Sequence, residues 1–275
     1  MYNKVLAVIV TYKPDKELLT KNINALQGRV EGILIWENSP EIDIRSWLNS
    51  TGIIYQGVGR NVGISRALNF AYRYAKEQNY SHMLTLDQDS CFKHFSEFRD
   101  TSFQLDKENL YVFGPMVAQD AGVEIHNDIV PISIENYLIT SGMLVPLTVI
   151  ERVGGYNEDF MVDAVDLDFN LRVMREGITI FRNKNGVLIQ HFGDPIVRTL
   201  FKKTYIFSNY NPFRLYGIFR NHIILYRETK NDFVKNQVGL YLRHFLPRII
   251  LWENNKYKKL IAILKGIIDG LKYKN

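Results

Sequence analysis

Short apolar runs and amphipathic stretches alternate along the first ninety residues. "VLAVIV" (5–10) is a continuous, largely β-branched run, the pattern of a strand covered on both faces. Pro14 and Asp15 then open a helix that ends near Gln27. "GILIWENS" (32–39) is a second apolar run closing in polar residues, and "GIIYQG" (52–57) is a short third strand. Residues 61–78 place Ile64, Ala67, Leu68, Ala71 and Ala75 on one buried helix face, and "HMLTL" (82–86) is the fourth strand. Strand–helix alternation with short connections predicts a parallel sheet with right-handed crossovers. Ligands of such sheets sit outside the carboxyl ends of the strands. Three of these strands end there in polar groups: Thr11-Tyr12, Glu37-Asn38 and Asp87-Gln88-Asp89.

The second half is less regular. "YVFGPMV" (111–117) and "YLITSGMLVP" (137–146) read as strands, and "LTVIERVGG" as a short helix closed by Gly154. Residues 163–177 read as a helix, acidic in its first turn, with Arg172 and Arg175 late and Gly177 as a stop, a polarity that suits the helix dipole. "ITIFRN" and "GVLIQHFGD" (186–194) are two more short strands, the second ending at His191.

Composition narrows the class. With 275 residues, 46% of them apolar and 23% charged, the chain can build one large α/β domain with an appendage and is not a disordered protein. A single cysteine, Cys91, rules out an intrachain disulfide and favours a reducing compartment. The six-residue N-terminal apolar run is too short for a signal peptide or a membrane span, so a cytoplasmic location is expected. The net charge of +5 is uneven: residues 231–275 carry nine Lys/Arg and three Asp/Glu, whereas the first 230 carry 25 and 26.

Asp87 and Asp89 at a strand exit repel one another unless solvated or sharing a counter-charge. A hard divalent cation, Mg²⁺ or Mn²⁺, would relieve that repulsion and complete its shell with substrate phosphate. The same residues also suit a solvated turn capped by Asp89. In the second acidic group, Asp163 and Asp166 are three apart and share a helix face, while Asp168 points elsewhere. One of the pair could take a hydroxyl proton as general base, or both could serve as helix cap and first-turn residue. His191 suits either a structural role or a neutral ligand in a carboxylate–metal–phosphate site.

The segments "VIVTYKP" (8–14), "NVGISRALN" (61–69), "LTLDQDS" (84–90), "TSGMLVP" (140–146), "GGYNEDFMVDAVDLDFNLRVMREG" (154–177) and "QHFGD" (190–194) occur in one order. Together they resemble the family 2 inverting glycosyltransferases, and within them the bacterial rhamnosyltransferases. The resemblance implies the GT-A fold, a Rossmann-like mixed and mainly parallel sheet flanked by helices, over residues 1–230. It implies that Thr11 and Tyr12 line a nucleotide pocket and that Glu37 and Asn38 lie where the family usually has an Asp reading the pyrimidine. Asn61, Gly63, Ser65 and Asn69 would belong to a helix start approaching the donor, with backbone N–H groups toward phosphate. Asp89 would ligate the metal directly, with Asp87 near the ribose or the metal's waters and Gln88 on the donor side. Asp166 maps to the catalytic base. The Glu that precedes the base in most members is Val165 here. The "DAVDLD" spacing, with Asp163 also present, is the pattern of rhamnose-transferring members. His191 matches the late metal-site histidine.

The expected activity is therefore metal-dependent inverting transfer of a sugar, L-rhamnose from dTDP-rhamnose above all, to a glycan or lipid-linked glycan in surface polysaccharide synthesis. A UDP-hexose or UDP-galactofuranose donor on the same fold, or a non-catalytic sugar-binding module, are the alternatives. Residues 231–275 form a basic amphipathic helical extension. Pro247-Arg248, Lys265 and Asp269 interrupt its apolar stretches, so neither spans a membrane. Ile261, Leu264, Ile268 and Leu271 form a stripe flanked by lysines, suited to a peripheral position on the inner face of the cytoplasmic membrane. Packing on the catalytic domain, or a homodimer, would use the same stripe. No nucleic-acid motif or basic face is present in the body.

Overall fold

The computed structural model describes residues 3–39, 41–48, 52–118, 131–190 and 209–274, and the backbone of 196–200 and 203–207. Its first half is the expected parallel sheet. β1 (Val5–Thr11) pairs in parallel with β2 (Gly32–Glu37) on one side and β4 (His82–Asp87) on the other, and β3 (Ile53–Gly57) extends β2. Val5, Leu6, Ala7, Val8 and Ile9 are fully buried because helices cover both faces. α1 (Lys16–Leu26) starts where Asp15 accepts the Leu18 N–H at 2.9 Å, and buries Leu19, Ile23 and Leu26. α2 (Ile64–Glu77) buries Ala67, Leu68, Ala71 and Ala75.

The chain continues through β5 (Ser90–Lys93), α3 (Phe95–Leu105), β6 (Val112–Ala118), β7 (Ile132–Glu135), β8 (Leu144–Pro146), α4 (Leu147–Arg152), α5 (Val165–Arg175) and β9 (Ile180–Gln190). The sheet order is β3-β2-β1-β4-β8-β6-β9-β5, with β7 on β9. β8 runs antiparallel to β4, so the sheet is mixed on this side.

Three sequence expectations change. Residues 137–146 are not one strand, because Thr85 draws the 140–143 backbone into a turn over β4. Its carbonyl accepts the Gly142 N–H at 2.7 Å and its hydroxyl donates to the Thr140 carbonyl at 2.5 Å. Gly142, at φ +87, permits that turn. The two strands expected over 178–183 and 186–194 are the single β9, since β6 pairs with 180–183 and resumes at 187–189, leaving polar residues 184–186 as an irregularity within one strand. The helix expected from 163 begins at Val165, because Asp163 and Ala164 take φ +58 and +62.

The chain divides into two compact units: Met1–Met161 with Val165–His191, and Val162–Ala164 with Phe192–Asn275. The second holds the hairpin β10 (Ile196–Leu200) and β11 (Lys203–Phe207), then α6 (Pro212–Thr229), α7 (Asp232–Leu251) and α8 (Lys256–Lys272). α6 therefore groups with the tail helices, although it precedes the boundary expected at residue 231. Leu215, Ile218 and Phe219 of α6 meet Phe245 and Ile249 of α7 and Ile263 of α8 in a core of their own. Gly266 and Gly270 let the α8 backbone approach α6: a Cβ there would lie 2.6 Å from the Tyr216 carbonyl oxygen and 2.8 Å from that of Arg220. No helix among the described residues is long and apolar enough to cross a membrane.

At the α7–α8 turn Lys259 is buried and donates to Glu253 at 2.6 Å and to Asn209 Oδ1 at 2.7 Å. Glu253→Ala would strand the ammonium in the interior. We expect a loss of about 3–5 kcal/mol in urea unfolding of the full chain.

Candidate active site

Polar groups converge at the exit of β4. The Asp87 N–H donates to Ser141 Oγ at 2.9 Å, and Ser141 Oγ lies 2.8 Å from Ser90 Oγ. Asn22 Nδ2 donates to the Asp87 carbonyl, tying the strand end to α1. Gln190, at the end of β9, donates from Nε2 to Asp87 Oδ2 at 2.8 Å. Its Oε1 is buried with no hydrogen-bond partner among the described residues. Asp89 follows in the turn between β4 and β5. Two carboxylates and an unengaged amide oxygen are the hard oxygen donors that Mg²⁺ and Mn²⁺ take, so these residues fit a divalent cation. His191 lies outside the described residues. Among those described, no three His, Cys, Asp or Glu side chains gather into a cluster.

The ends of β1 and β2 form a second polar layer. Thr11 is buried and donates from Oγ1 to the Trp36 carbonyl at 3.0 Å. Gln88 grips Tyr12 at both backbone groups, accepting its N–H at 2.6 Å and donating to its carbonyl at 3.1 Å, while the Tyr12 ring stays exposed. Glu37 Oε1 accepts the Ser39 N–H, and Oε2 accepts from the Tyr55 hydroxyl. Burial, reinforced by Glu37, holds the Tyr55 phenol well above its ordinary pKa. Asn38 Oδ1 accepts from Trp36 Nε1 and from the Val62 N–H, each at 3.1 Å, latching the next loop to β2.

That loop leads into α2. Asn61 Oδ1 accepts the Gly63 N–H at 2.9 Å, and the Met161 carbonyl accepts the Ile64 N–H at 2.8 Å. The N–H of Gly63, which the resemblance turns toward phosphate, thus already has an internal acceptor, as do those of Val62 and Ile64. Ser65 donates to the Phe160 carbonyl at 2.8 Å. Asn69 is committed to the Tyr156 backbone in both directions at 2.8 Å. Both side chains hold the 156–161 loop against α2. A cavity of about 210 Å³ opens beside them, lined by Arg60, Asn61, Val62, Arg66, Glu158 and Met161. Gly63 sits at φ +84, where a Cβ would come within 2.7 Å of the Met161 backbone. Gly63→Ala is therefore expected to cost on the order of 1–3 kcal/mol through strain alone, with the clash added, and to weaken ligand binding at this cavity. Thermal unfolding and ligand titration read the two effects.

Asp166 lies in the first turn of α5, half-buried. Its Oδ2 accepts from the Tyr137 hydroxyl at 2.6 Å and its Oδ1 from the Leu167 N–H at 2.8 Å. Desolvation outweighs these donors, so the carboxyl pKa is raised above the ordinary value. Asn170 fixes the Tyr137-Leu138 segment by exchanging hydrogen bonds with both backbone groups of Leu138. The segment 137–141 thus joins the carboxylate of Asp166, through Tyr137, to the backbone of Asp87, through Ser141. Tyr137, Ser141 and Gln190 carry no charge and follow no spacing rule, so the sequence reading passes over them.

Asp163 corrects the shared-face expectation. Its left-handed backbone keeps it off α5 and in the second unit. There its Oδ1 lies 3.3 Å from Arg214, and its carbonyl accepts from Asn221 Nδ2 at 3.1 Å. Asp168 is buried and paired with Arg172, whose other nitrogen donates to the Val153 and Gly155 carbonyls at 2.6 Å.

No family model matches the chain. It is 25% identical to the dTDP-rhamnosyl transferase RfbF of Shigella flexneri across 99% of this chain and 97% of that protein. It is 22% identical to the low-salt glycan biosynthesis hexosyltransferase Agl10 of Haloferax volcanii, across 82% and 76%. Among solved structures, GalNAc-T7 with UDP, GalNAc and Mn²⁺ superposes with TM-score 0.62 at 9% identity, over 98% of this chain, which spans 56% of that one. S. aureus TarS 1–349 with UDP-GlcNAc superposes with TM-score 0.57 at 12% identity, over 96% and 81%. The mixed sheet, these likenesses and the similarity over most of the chain to two sugar transferases lead to one conclusion: the chain is a glycosyltransferase of the GT-A fold.

Proposed function

We propose that the protein transfers a sugar from a nucleotide donor to an acceptor hydroxyl with inversion, and that the donor is dTDP-L-rhamnose. One observation carries the chemistry: the 137–141 segment reaches Asp166, a half-buried carboxyl of raised pKa, through the Tyr137 hydroxyl and reaches the backbone of Asp87, at the end of β4, through Ser141. The full-length kinship with a dTDP-rhamnosyl transferase supports the choice of sugar.

In this reading Asp166 accepts the acceptor's hydroxyl proton. The hydroxyl oxygen then bonds to the anomeric carbon as the bond to the diphosphate oxygen breaks on the opposite face. Tyr137 holds the carboxylate oxygen that does not take the proton. Asp89 and Asp87, with Gln190 beside Asp87, would hold Mg²⁺ or Mn²⁺, whose charge would offset that of the departing diphosphate. His191 is assigned to the same shell. Thr11, Tyr12, Glu37, Asn38 and Gln88 flank the nucleotide, and Asn61 and Gly63 shape the donor side. Ser65 and Asn69 act there through the loop they hold. Asp163, engaged with Arg214, is assigned a positioning role on the acceptor side. The acceptor is a glycan or lipid-linked glycan met at a membrane surface.

A UDP-hexose donor is the second reading, favoured by the hexosyltransferase relative. The purified protein incubated with nucleotide sugars and Mn²⁺ or Mg²⁺ decides between them through released nucleoside diphosphate. Metal-dependent preference for dTDP-rhamnose is expected. Preference for a UDP-sugar would discard rhamnose and keep the mechanism, and no donor binding at any metal concentration would overturn the reading itself.

A further inference from the structure

The second unit leaves one apolar face uncovered. α8 packs inward through Lys259, Ile263, Gly266 and Gly270, all buried. On its opposite side Tyr257, Ile261, Leu264, Ile268 and Leu271 are 84%, 64%, 59%, 39% and 58% exposed. Their spacing of four, three, four and three is that of one continuous helical stripe. The stripe that the sequence alone could as well have assigned to packing is therefore the outward one, because two glycines, not the large residues, make the close approach to α6.

What borders the stripe identifies its partner. Lys258, Lys265 and Lys272 recur every seven residues along one flank and are exposed, with Lys274 beyond the helix end. The sole acidic residue of α8, Asp269, is half-buried and accepts from Tyr216 at 2.9 Å. The opposite flank, Leu260 and Ile267, runs into the core shared with α6 and α7. Large apolar side chains between a row of cations and a fixed helical support match the boundary between anionic head groups and acyl chains. A second copy would meet this face with the same cations, and no acidic side chain of the stripe could answer them.

We infer that α8 is a monotopic membrane-docking helix. It lies in the plane of an anionic leaflet with Tyr257, Ile261, Leu264, Ile268 and Leu271 inserted and the lysine row on the head groups. This names the partner of the membrane surface in the proposed function, but it does not depend on the donor or on Asp166.

Co-sedimentation of the full chain with vesicles tests it, comparing phosphatidylcholine alone with phosphatidylcholine containing phosphatidylglycerol. Binding to the anionic vesicles, weakened by added salt, is expected. Ile261→Asn with Leu264→Asn should lower partitioning at least about tenfold, and Lys258→Glu with Lys272→Glu by a similar factor or more. All four positions are exposed, so circular dichroism and released-diphosphate turnover with a soluble acceptor should match the native chain. Two outcomes would overturn the inference: no partitioning onto anionic vesicles, or partitioning unchanged in both variants. A stable dimer in solution that the asparagine pair dissociates would reassign the stripe to self-association. Loss of turnover without loss of vesicle binding would count against the proposed chemistry alone.

Discussion

Asp166→Asn is expected to lower turnover by about a thousandfold, some 4 kcal/mol of transition-state free energy, while donor binding stays within a few-fold of the native value. Asparagine keeps the volume and can still accept from Tyr137, so the loss would report the missing proton acceptor and not a collapsed loop. The same substitution should make the protein more stable. A carboxyl whose pKa is raised on folding binds its proton more tightly in the folded chain, so its stabilising contribution is complete below the unfolded carboxyl pKa. That contribution is lost as pH rises through the higher folded pKa. Above that folded pKa ionised Asp166 is therefore a cost to the fold, which asparagine removes, and a Tm increase of a few degrees is expected there. The native enzyme should in turn lose activity on acidification at a pH above the ordinary carboxylate range. Full turnover in the variant, or an acid limb at an unshifted carboxylate pKa, would remove Asp166 from the role of base.

The second large effect concerns the metal. Asp89→Ala is expected to raise the Kd of a nucleoside diphosphate, measured by calorimetry in Mn²⁺, more than about tenfold. EDTA should weaken binding to the native chain by a similar factor and leave the variant unchanged, since the cation would no longer link protein to diphosphate. Gln190→Met tests the neighbouring amide: it removes the hydrogen bond to Asp87 Oδ2 and the buried oxygen together, and a smaller loss in the same direction is expected. Equal affinity with and without Mn²⁺ in the native chain would overturn the metal assignment, and unchanged affinity in Asp89→Ala would move the cation elsewhere.

Much of this was legible in the residues. The strands over 5–10, 32–37 and 82–87 follow from largely apolar runs, because a strand covered on both faces is apolar at most of its positions. The polar residues at their exits marked one edge of the sheet, and the 137–141 segment bonds to both Asp87 and Asp166 there. What failed did so for local reasons. Asp163 reads as helical at its spacing from Asp166, but two consecutive left-handed residues displace it, and nothing in the side chains of Asp163 and Ala164 announces that backbone. The turn at 140–143, Thr-Ser-Gly-Met between apolar flanks, is fixed by Thr85, 55 residues away from Thr140.

Sequence by itself determined the sheet's parallel half, the amphipathic faces of the helices and the types of group that could carry chemistry, because each depends on periodicity or on side-chain identity. Tertiary structure alone decided which of those groups have their hydrogen bonds already engaged. Asn69 and Ser65 hold a loop, Gln190 turns to Asp87, and Tyr137 turns to Asp166, each through a contact between residues at least 29 positions apart. It also decided which side of α8 faces outward. A hydrophobic pattern records that a helix has an apolar face, but only the close approach of Gly266 and Gly270 to another helix determines which face is covered.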